Sequence, residues 1–350
     1  MNFFRKKYVW AVFYGLALTG LTAYTVLDTF VIKRVYSEVE TELSPAAVSE
    51  VSESAAESVS SEKKHSPPSG VKHSRPESRG KDEKNETEES EKKTAETLSE
   101  NMPMTSAVIS ENSYSDKNFT VTVTQYRTND TDVYVGDITL TSSEFLKTAF
   151  AENSYGKNIT AKTSETASEN QAFLAINGDY YGAREKGYVL RNSVLYRNEA
   201  AEDHEDLVIY NDGSFEIINE DEVTAEELSD AGAWQIFSFG PGLVENGEIA
   251  VTADEEVGKA KASNPRTAIG IIDDLHYVFV VADGRTDESE GLTLYELAEF
   301  MRQLGAETAY NLDGGGSSVM YFNGSVINKP TTNGKTIKER SVSDIVYIGY

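Results

Sequence analysis

The chain has 350 residues, which suits one or two domains, and its formal net charge at pH 7 is -26. A charge this negative argues against binding to nucleic acid, because the phosphates would be repelled, although local basic sites could still bind an anionic substrate. The sequence has no cysteine and only four histidines, which excludes disulfides, thiol catalysis and cysteine-ligated zinc and argues against a multi-histidine metal site.

The first predicted element is a membrane-spanning helix at residues 8–32. This apolar run is long enough to cross a bilayer, and its one charged residue is Asp28. Basic residues at 5–7 precede it and acidic sequence follows, which favours a cytoplasmic N-terminus and an extracellular C-terminal bulk. The alternative is a cleaved signal peptide, but the run is too long and no small-x-small cleavage site follows it. We expect residues 1–36 to be a cytoplasmic tip and a single-pass anchor, and an exported chain without disulfides suits a Gram-positive bacterium.

Residues 37–110 are rich in Ser, Glu, Lys and Thr and have almost no aromatic side chains. Such a segment cannot bury enough apolar surface to offset the entropy lost on ordering. The composition therefore predicts a disordered stalk through the cell envelope, followed by a folded domain at residues 111–350.

The domain begins with strand patterns. Apolar and polar residues alternate over 119–126 and 132–140, as in half-buried strands. Residues 142–150 are predicted as a short helix, with Ser142 or Ser143 as its cap. A strand that ends in a polar turn and a β-hairpin are predicted at residues 171–182 and 207–218.

Strand, helix and strand signals then follow in order at residues 275–283, 293–305 and 307–312. The helix opens with a T-x-x-E capping box and has one apolar face. This order predicts a βαβ unit with parallel strands in an α+β fold, a mixed β-sheet with few helices. Asp283 and Asp313 follow the two strands directly, so both are expected at the sheet edge where ligand sites form.

Three glycines at residues 314–316 follow Asp313. Glycine permits positive φ and close backbone approach, so the N–H groups of this turn could face an anion. The alternative is a tight connection with no ligand. An Asn-Gly hairpin signal at residues 323–324 fixes the exit of the turn and argues against a hinge. Neither a P-loop nor a G-x-S-x-G elbow is present.

Other predicted strand ends carry similar residue types. Asn177 and Asp179 follow an apolar strand beside two tyrosines suited to stacking on a sugar, Arg266 opens a strand, and Arg340 precedes the last one. The alternative is that each aspartate caps a turn and each arginine makes a surface ion pair. Together, these residues are the parts needed to hold a sugar and a phosphate.

These motifs resemble the phosphodiester glycosidase family. The resemblance covers about residues 130–350 and is carried by INGDYYG, FSFGPGLVENG, NPRTAIG, ADGR, GLTLYELAEFMRQLGAETAYNLDGGGSSVM and RSVSD. The long segment that ends in the glycines is highly specific. The resemblance implies a hydrolase that cleaves a sugar-1-phosphodiester into a free sugar and a phosphomonoester. For an anchored surface protein, the expected substrate is an envelope glycan such as teichoic acid, capsule or exopolysaccharide.

The resemblance also implies roles for the site residues. A carboxylate stabilises or attacks the oxocarbenium-like carbon or activates water, and arginines stabilise the departing phosphate. We expect Asp313 and Asp179 to be catalytic, with Asp283 as the third candidate. The residues expected to bind substrate are Asn177, Tyr181, Arg266, Thr267, Arg285, Gly314, Gly315, Gly316, Ser317, Ser318 and Arg340.

Two alternatives stay open. Carboxylates at loop ends can bind Ca²⁺ or Mg²⁺, but no D-x-D-x-D-G pattern appears, so a divalent cation is compatible with the sequence without named ligands. A non-catalytic surface module that binds phosphoglycans or exopolysaccharide would keep the arginines and aromatic residues. The presence of both Asp179 and Asp313 favours an enzyme.

Overall fold

The computed structural model describes residues 9–38, 108–253 and 263–350. Most of the expected stalk and the expected cytoplasmic tip therefore lie outside the described residues. The helices are α1 (Val9–Phe30), α2 (Thr163–Glu169), α3 (Ala225–Asp230) and α4 (Leu294–Gln303). The strands are β1 (Arg34–Glu38), β2 (Val108–Ile109), β3 (Ser113–Ser115), β4 (Phe119–Thr128), β5 (Thr131–Leu140), β6 (Leu146–Phe150), β7 (Ser154–Lys157), β8 (Leu174–Asn177), β9 (Val189–Arg191), β10 (Val194–Arg197), β11 (Glu205–Tyr210), β12 (Phe215–Asn219), β13 (Ala233–Phe237), β14 (Gly242–Glu245), β15 (Glu248–Ile249), β16 (Arg266–Asp273), β17 (His276–Ala282), β18 (Thr308–Leu312), β19 (Met320–Phe322), β20 (Ser325–Val326) and β21 (Asp344–Ile348).

Helix α1 coincides with the predicted membrane span. Residues Trp10–Phe30 have a mean hydropathy of 1.4 and are long and apolar enough to cross a membrane. Strand β1 follows within a few residues and pairs antiparallel with β7. The Asn158 side-chain amide donates to the carbonyls of Thr29 and Ile32 (3.2 and 3.0 Å). The chain after α1 is therefore attached to the folded domain by residues 29–38. Residue 37, where the stalk was expected to begin, lies within β1.

The largest sheet has nine strands in the order β15-β14-β18-β16-β17-β5-β4-β3-β2. The predicted strand, helix and strand are β17, α4 and β18, and α4 begins with the expected capping box of Thr293 and Glu296. Strands β17 and β18 run in the same direction, but β16 lies between them and is antiparallel to both. The βαβ unit is therefore split by a third strand. The ends of β17 and β18 meet the start of β16, where Arg266 lies, at one edge of the sheet.

The prediction of a helix at residues 142–150 is wrong. Ser143–Phe145 form a single 3-10 turn, whose backbone is capped by the Ser142 hydroxyl. The residues that follow form β6, which pairs with β21 and buries alternate side chains. Burial with a period of two residues is the strand pattern, and pairing in a sheet outweighs the local cap signal here.

Two five-stranded sheets pack with the large one, in the orders β20-β19-β8-β21-β6 and β10-β9-β13-β11-β12. Phe279, Ile176 and Phe237 come from the three different sheets and belong to one buried cluster. Burial of apolar surface, at about 25 cal/mol per Å², holds the three sheets together. The fold is thus α+β with few helices and mainly antiparallel sheets, as predicted. The ends of β8, β9, β18 and β21 come close together where these sheets meet.

Candidate functional site

Asp313, directly after β18, carries a carboxylate that is partly open to solvent. Its Oδ2 accepts a hydrogen bond from Arg340 Nη2 at 3.0 Å, and the two side chains are 13% and 40% exposed. Arg340 Nε also donates to the Ser317 hydroxyl at 2.9 Å. Burial raises the pKa of Asp313, while the charge of Arg340 opposes that rise. The result is an anchored carboxylate with one guanidinium at its side.

The glycine turn that follows lets three parts of the chain approach closely. Gly315 has a φ of 64°, a conformation that favours glycine. A Cβ at Gly315 would lie 2.9 Å from Arg285 Nη2, and one at Gly314 would lie 2.9 Å from the Pro265 carbonyl. The Gly315 amide donates to that same carbonyl at 2.8 Å, and the Ser317 amide donates to Gly314. Two amides of the turn therefore bind within the protein, Gly315 makes room for a guanidinium, and Gly314 makes room for the Pro265 carbonyl.

That guanidinium belongs to Arg285. It donates to the Asn264 side-chain oxygen at 3.1 and 3.0 Å and to the Thr332 carbonyl at 2.8 Å. Among the described residues, no carboxylate pairs with it. Burial and then the neighbouring charge of Arg340 lower the pKa of Arg285. Two guanidiniums close to each other attract anions, which can accept charge-assisted hydrogen bonds from both.

A buried ionic cluster adjoins Asp313. Arg191, at the end of β9, donates to Asp179 at 2.8 Å and to Asp344 at 2.9 Å, and all three side chains are at most 2% exposed. Burial and then the Asp179 charge raise the pKa of Asp344, and Asp313 contributes to the same rise. Burial acts to lower the pKa of Arg191, but the charges of Asp179 and Asp344 raise it. Asp344 Oδ1 is buried and has no hydrogen-bond partner among the described residues. A Cβ at Gly178 would overlap with this oxygen, so a glycine is needed there.

Asp179 accepts three hydrogen bonds from the protein. In addition to Arg191, it accepts from the backbone amides of Tyr181 and Ser238, each at 3.0 Å. Its side chain is fully buried. Asp179 is thus placed to hold β8, β9 and β13 together beside Asp313, and no lone pair faces solvent.

Asn177 links the two sheets at the site. Its amide nitrogen donates to the Asp313 carbonyl at 2.6 Å, and its oxygen accepts from the Thr267 hydroxyl at 2.9 Å and the Val319 amide at 3.3 Å. Asn177 and Thr267 are both fully buried. These two predicted substrate-binding residues instead fix the backbone that carries Asp313.

Asp283 does not join this cluster. It lies at the same sheet edge, but its carboxylate accepts from the Asn328 side-chain amide and the Lys329 backbone amide, both at 3.0 Å. It is buried, and burial raises its pKa. These contacts anchor the loop that leads to Lys329.

Other predicted contacts are also buried. Tyr181 is 1% exposed and stacks on the Tyr155 ring with centroids 5.4 Å apart, so the expectation that it stacks on a sugar is wrong; its neighbour Tyr180 is exposed. Arg266 is buried and donates Nε to the Leu292 carbonyl at 2.8 Å. The Ser318 hydroxyl is buried too. Of the predicted residues, Asp313, Arg340 and Arg285 form the accessible part of the site around Gly315.

Two residues of the buried cluster, Asp344 and Arg191, were not predicted from the sequence. Asp344 lies in the RSVSD segment, whose arginine was singled out while its aspartate was not. Arg191 follows the apolar residues of β9, and a charged residue at the end of so buried a strand was the available signal. Its partners Asp179 and Asp344 are distant in the chain, so no local pattern could identify them.

One group of three side chains within the described part of the chain has the composition of a metal site: His204, Asp206 and Glu220. Ser238 connects it to Asp179, because the Ser238 hydroxyl donates to Glu220 at 2.9 Å and its amide to Asp179 at 3.0 Å.

Comparisons with known proteins show which family the chain resembles. A sequence model described as phosphodiester glycosidase matches residues 170–349. The SPbeta prophage-derived uncharacterized protein YomE of Bacillus subtilis is 31% identical over 191 residues, 53% of this chain and 29% of its own length. Mouse N-acetylglucosamine-1-phosphodiester alpha-N-acetylglucosaminidase is 38% identical over 101 residues, 25% of this chain and 19% of its own length. The chain thus spans less than a third of the length of these curated relatives.

A solved structure shows a similar fold. The catalytic domain of zebrafish N-acetylglucosamine-1-phosphodiester alpha-N-acetylglucosaminidase, auto-inhibited by its pro-peptide, superposes with a TM-score of 0.53 at 21% identity. The match covers 66% of this chain and 83% of the zebrafish chain. The segments that position Asp179, Asp313 and Asp344 all fall within residues 170–349.

Proposed function

The chain belongs to the phosphodiester glycosidase family, and we propose that it hydrolyses the bond between the anomeric carbon of a sugar and a phosphodiester. The observation that carries this proposal is an accessible carboxylate, Asp313, next to two guanidiniums, Arg340 and Arg285. In the reaction, the oxygen of water bonds to the anomeric carbon and the bond from that carbon to the phosphate oxygen breaks. The products are a free sugar and a phosphomonoester, and the proton of water passes to a base or to solvent.

The arginines act on the leaving group. A phosphodiester carries one negative charge, and the phosphomonoester that departs gains a second as the bond breaks. Arg285 and Arg340 donate charge-assisted hydrogen bonds to these oxygens, and such bonds strengthen as the charge develops. Because phosphate is a good leaving group, the reaction needs less proton donation than the hydrolysis of an ordinary glycoside.

The carboxylates have different roles because their exposure to solvent differs. Asp313 is the one with solvent access, so it faces the anomeric carbon, where it stabilises positive charge and directs the incoming water or attacks the carbon itself. Asp179 and Asp344 are fully buried and share Arg191. They position the loop around Asp313, and Arg191 offsets the charge of Asp179.

The anchor suggests where the substrate lies. Helix α1 is followed directly by β1, which pairs with β7 of the catalytic domain. If α1 spans the membrane, the domain is held close to the extracellular face of that membrane. We therefore propose an envelope glycan that carries sugar-1-phosphodiesters, of the teichoic acid, capsule or exopolysaccharide type, as the substrate.

The test is hydrolysis by the full-length chain in detergent. Sugar-1-(alkyl phosphate) diesters of N-acetylglucosamine and glucose, in both anomers, serve as substrates. Matched alkyl glycosides without phosphate serve as controls, and free sugar and phosphomonoester are both quantified. We expect turnover of at least one diester and none of the corresponding glycoside.

Two outcomes would contradict the proposal. Equal turnover of diester and glycoside would mean that the guanidiniums do not stabilise a departing phosphate. Diester binding without turnover of any substrate would indicate a non-catalytic module that binds phosphoglycans. The Asp313→Asn variant provides the background rate in both cases.

A further inference from the structure

The β11–β12 hairpin brings three potential metal ligands to one place. His204 immediately precedes β11, Asp206 lies within it, and Glu220 immediately follows β12. The two strands pair antiparallel, and the Glu220 amide donates to the His204 carbonyl at 3.0 Å. Alternate residues of a strand share a face, so His204 and Asp206 point the same way. One ligand atom from each of the three residues lies within 4.8 Å of the others.

Asp206 has Glu220 and Ser238 as polar neighbours. Its side chain is fully buried, and within the described part of the chain neither carboxylate oxygen has a hydrogen-bond partner of good geometry. A buried carboxylate without a partner costs several kcal/mol, which proteins avoid by pairing it, protonating it or binding a metal. The nearest imidazole nitrogen, His204 Nε2, is 4.0 Å from Asp206 Oδ1, which is too far for a hydrogen bond and leaves space for an ion between them.

The neighbouring Glu220 is held in position but adds a second negative charge. It is buried, and its Oε1 accepts from the Tyr188 amide at 3.1 Å and the Ser238 hydroxyl at 2.9 Å. These neutral donors orient the carboxylate without neutralising it. Two buried carboxylates with oxygens within 4.8 Å of each other need a proton or a cation between them.

A guanidinium lies close by without filling that need. Arg184 Nη1 is 3.2 Å from His204 Nε2 and 3.0 Å from the Ser238 carbonyl. A guanidinium can only donate, so Nε2 is the acceptor and its ring carries the proton on the other nitrogen. Nε2 therefore carries the lone pair that a metal ligand needs, and in this structure Arg184 donates to that lone pair. Arg184 keeps the Ser238 carbonyl as a partner when an ion takes that lone pair.

We propose that His204, Asp206 and Glu220 bind a divalent first-row transition-metal ion of the Zn²⁺ or Mn²⁺ type. One imidazole with two carboxylates suits these ions better than Ca²⁺ or Mg²⁺, which prefer oxygen ligands alone. The ion neutralises the buried carboxylates and ties the hairpin to Ser238, whose amide holds Asp179. It has a structural role next to the catalytic site and does not depend on the proposed reaction.

Metal content and thermal stability test the proposal on the full-length chain in detergent. The protein is stripped with a chelator, then titrated separately with Zn²⁺, Mn²⁺, Ca²⁺ and Mg²⁺, and melting is followed for each. We expect about one equivalent of Zn²⁺ or Mn²⁺ to bind and to raise the melting temperature, with little effect of Ca²⁺ or Mg²⁺. Co²⁺ substitution should give visible absorption bands typical of a nitrogen and oxygen ligand set.

Variants distinguish this site from the many surface carboxylates. Asp206→Asn and His204→Gln should each weaken binding by about 100-fold or more, since even loss of an outer-shell partner costs 10–100-fold. Asp203→Asn, an exposed neighbour that removes the same charge, should bind as the unaltered chain does. Equal binding by Asp206→Asn and Asp203→Asn would overturn the proposal. So would the absence of both a stoichiometric ion and a melting shift, which would mean that Asp206 and Glu220 share a proton. If Asp206→Asn fails to fold, His204→Gln and the Co²⁺ spectrum still decide.

Discussion

Asp313 and Asp283 should respond in opposite ways to the same substitution. Both are aspartates that follow strands at one sheet edge, and the sequence predicts a catalytic role for each. The structure gives Asp313 a partly exposed carboxylate beside Arg340, whereas the Asp283 carboxylate is buried between Asn328 and the Lys329 amide. Asparagine in place of either removes one charge and keeps nearly the same shape. Each variant is therefore the control for the other.

The expected magnitudes follow from these contacts. In Asp283→Asn, the Asn328 side-chain amide and the Lys329 backbone amide lose their charged acceptor, and one of them can face the new NH₂ group. This costs about 1–3 kcal/mol. At about 2–4 °C per kcal/mol, the melting temperature falls by about 2–12 °C. In Asp313→Asn, the lost ion pair is partly exposed and is worth at most about 1 kcal/mol. Its kcat should fall by about 10²–10⁴-fold, as for the loss of a group that acts on the reacting centre.

The assay measures melting and steady-state turnover of a sugar-1-phosphodiester for both variants, well below either melting temperature. We expect Asp283→Asn to keep its kcat and lose stability, and Asp313→Asn to keep its stability and lose kcat. A folded Asp283→Asn protein with no activity would refute the assignment drawn from the structure. So would an Asp313→Asn protein that turns over normally.

Three further variants test other parts of the structure. Arg285→Met should lower kcat/KM for the diester by about 10–150-fold, because a charge-assisted hydrogen bond is worth about 1.5–3 kcal/mol; an unchanged value would remove Arg285 from the phosphate site. Since burial raises the pKa of Asp313 and Arg340 opposes that rise, activity that needs ionised Asp313 is lost as pH falls through this pKa. Arg340→Met should therefore move the acid limb of kcat/KM to higher pH, and an unmoved limb would contradict this role. Glu38 and Ser154 are paired positions of β1 and β7, and the chain has no cysteine. A Glu38→Cys, Ser154→Cys double variant should therefore form a disulfide that is visible on a non-reducing gel, with each single variant as a control. Failure to cross-link would argue against this pairing.

Much of the fold could be predicted from local patterns. The capping box and apolar face of α4, the alternation in β4 and β5, and the Asn-Gly turn between β19 and β20 are all set by residues close in the chain. The failure at residues 142–150 has the opposite cause. A serine cap favoured a helix locally, but pairing of β6 with the last strand decided the outcome, and such distant pairing leaves no sign in a short window.

The roles of the aspartates illustrate the same limit. Asp179, Asp283 and Asp313 each follow a strand, so the sequence ranks them as similar candidates. Their surroundings distinguish them, because Asp179 is fully buried and held by Arg191 and two backbone amides, while Asp313 keeps solvent access. Burial and partner geometry depend on contacts between distant segments, which one sequence does not reveal.

The order of charges across the site gives the proposed reaction a direction. On the fully buried side, Asp179 pairs with Arg191. Burial and then the Asp179 charge raise the pKa of Asp344 to about 8, so this cluster carries little net charge at pH 7 and Asp313 supplies the negative charge. The accessible side holds Arg340 and Arg285, with Asp313 between the two regions. Cleavage of a sugar-1-phosphodiester develops positive charge on the anomeric carbon and negative charge on the leaving phosphate. A substrate with its sugar towards Asp313 and its phosphate towards the arginines would have both changes stabilised by fixed charges, whereas the reverse orientation would have both opposed.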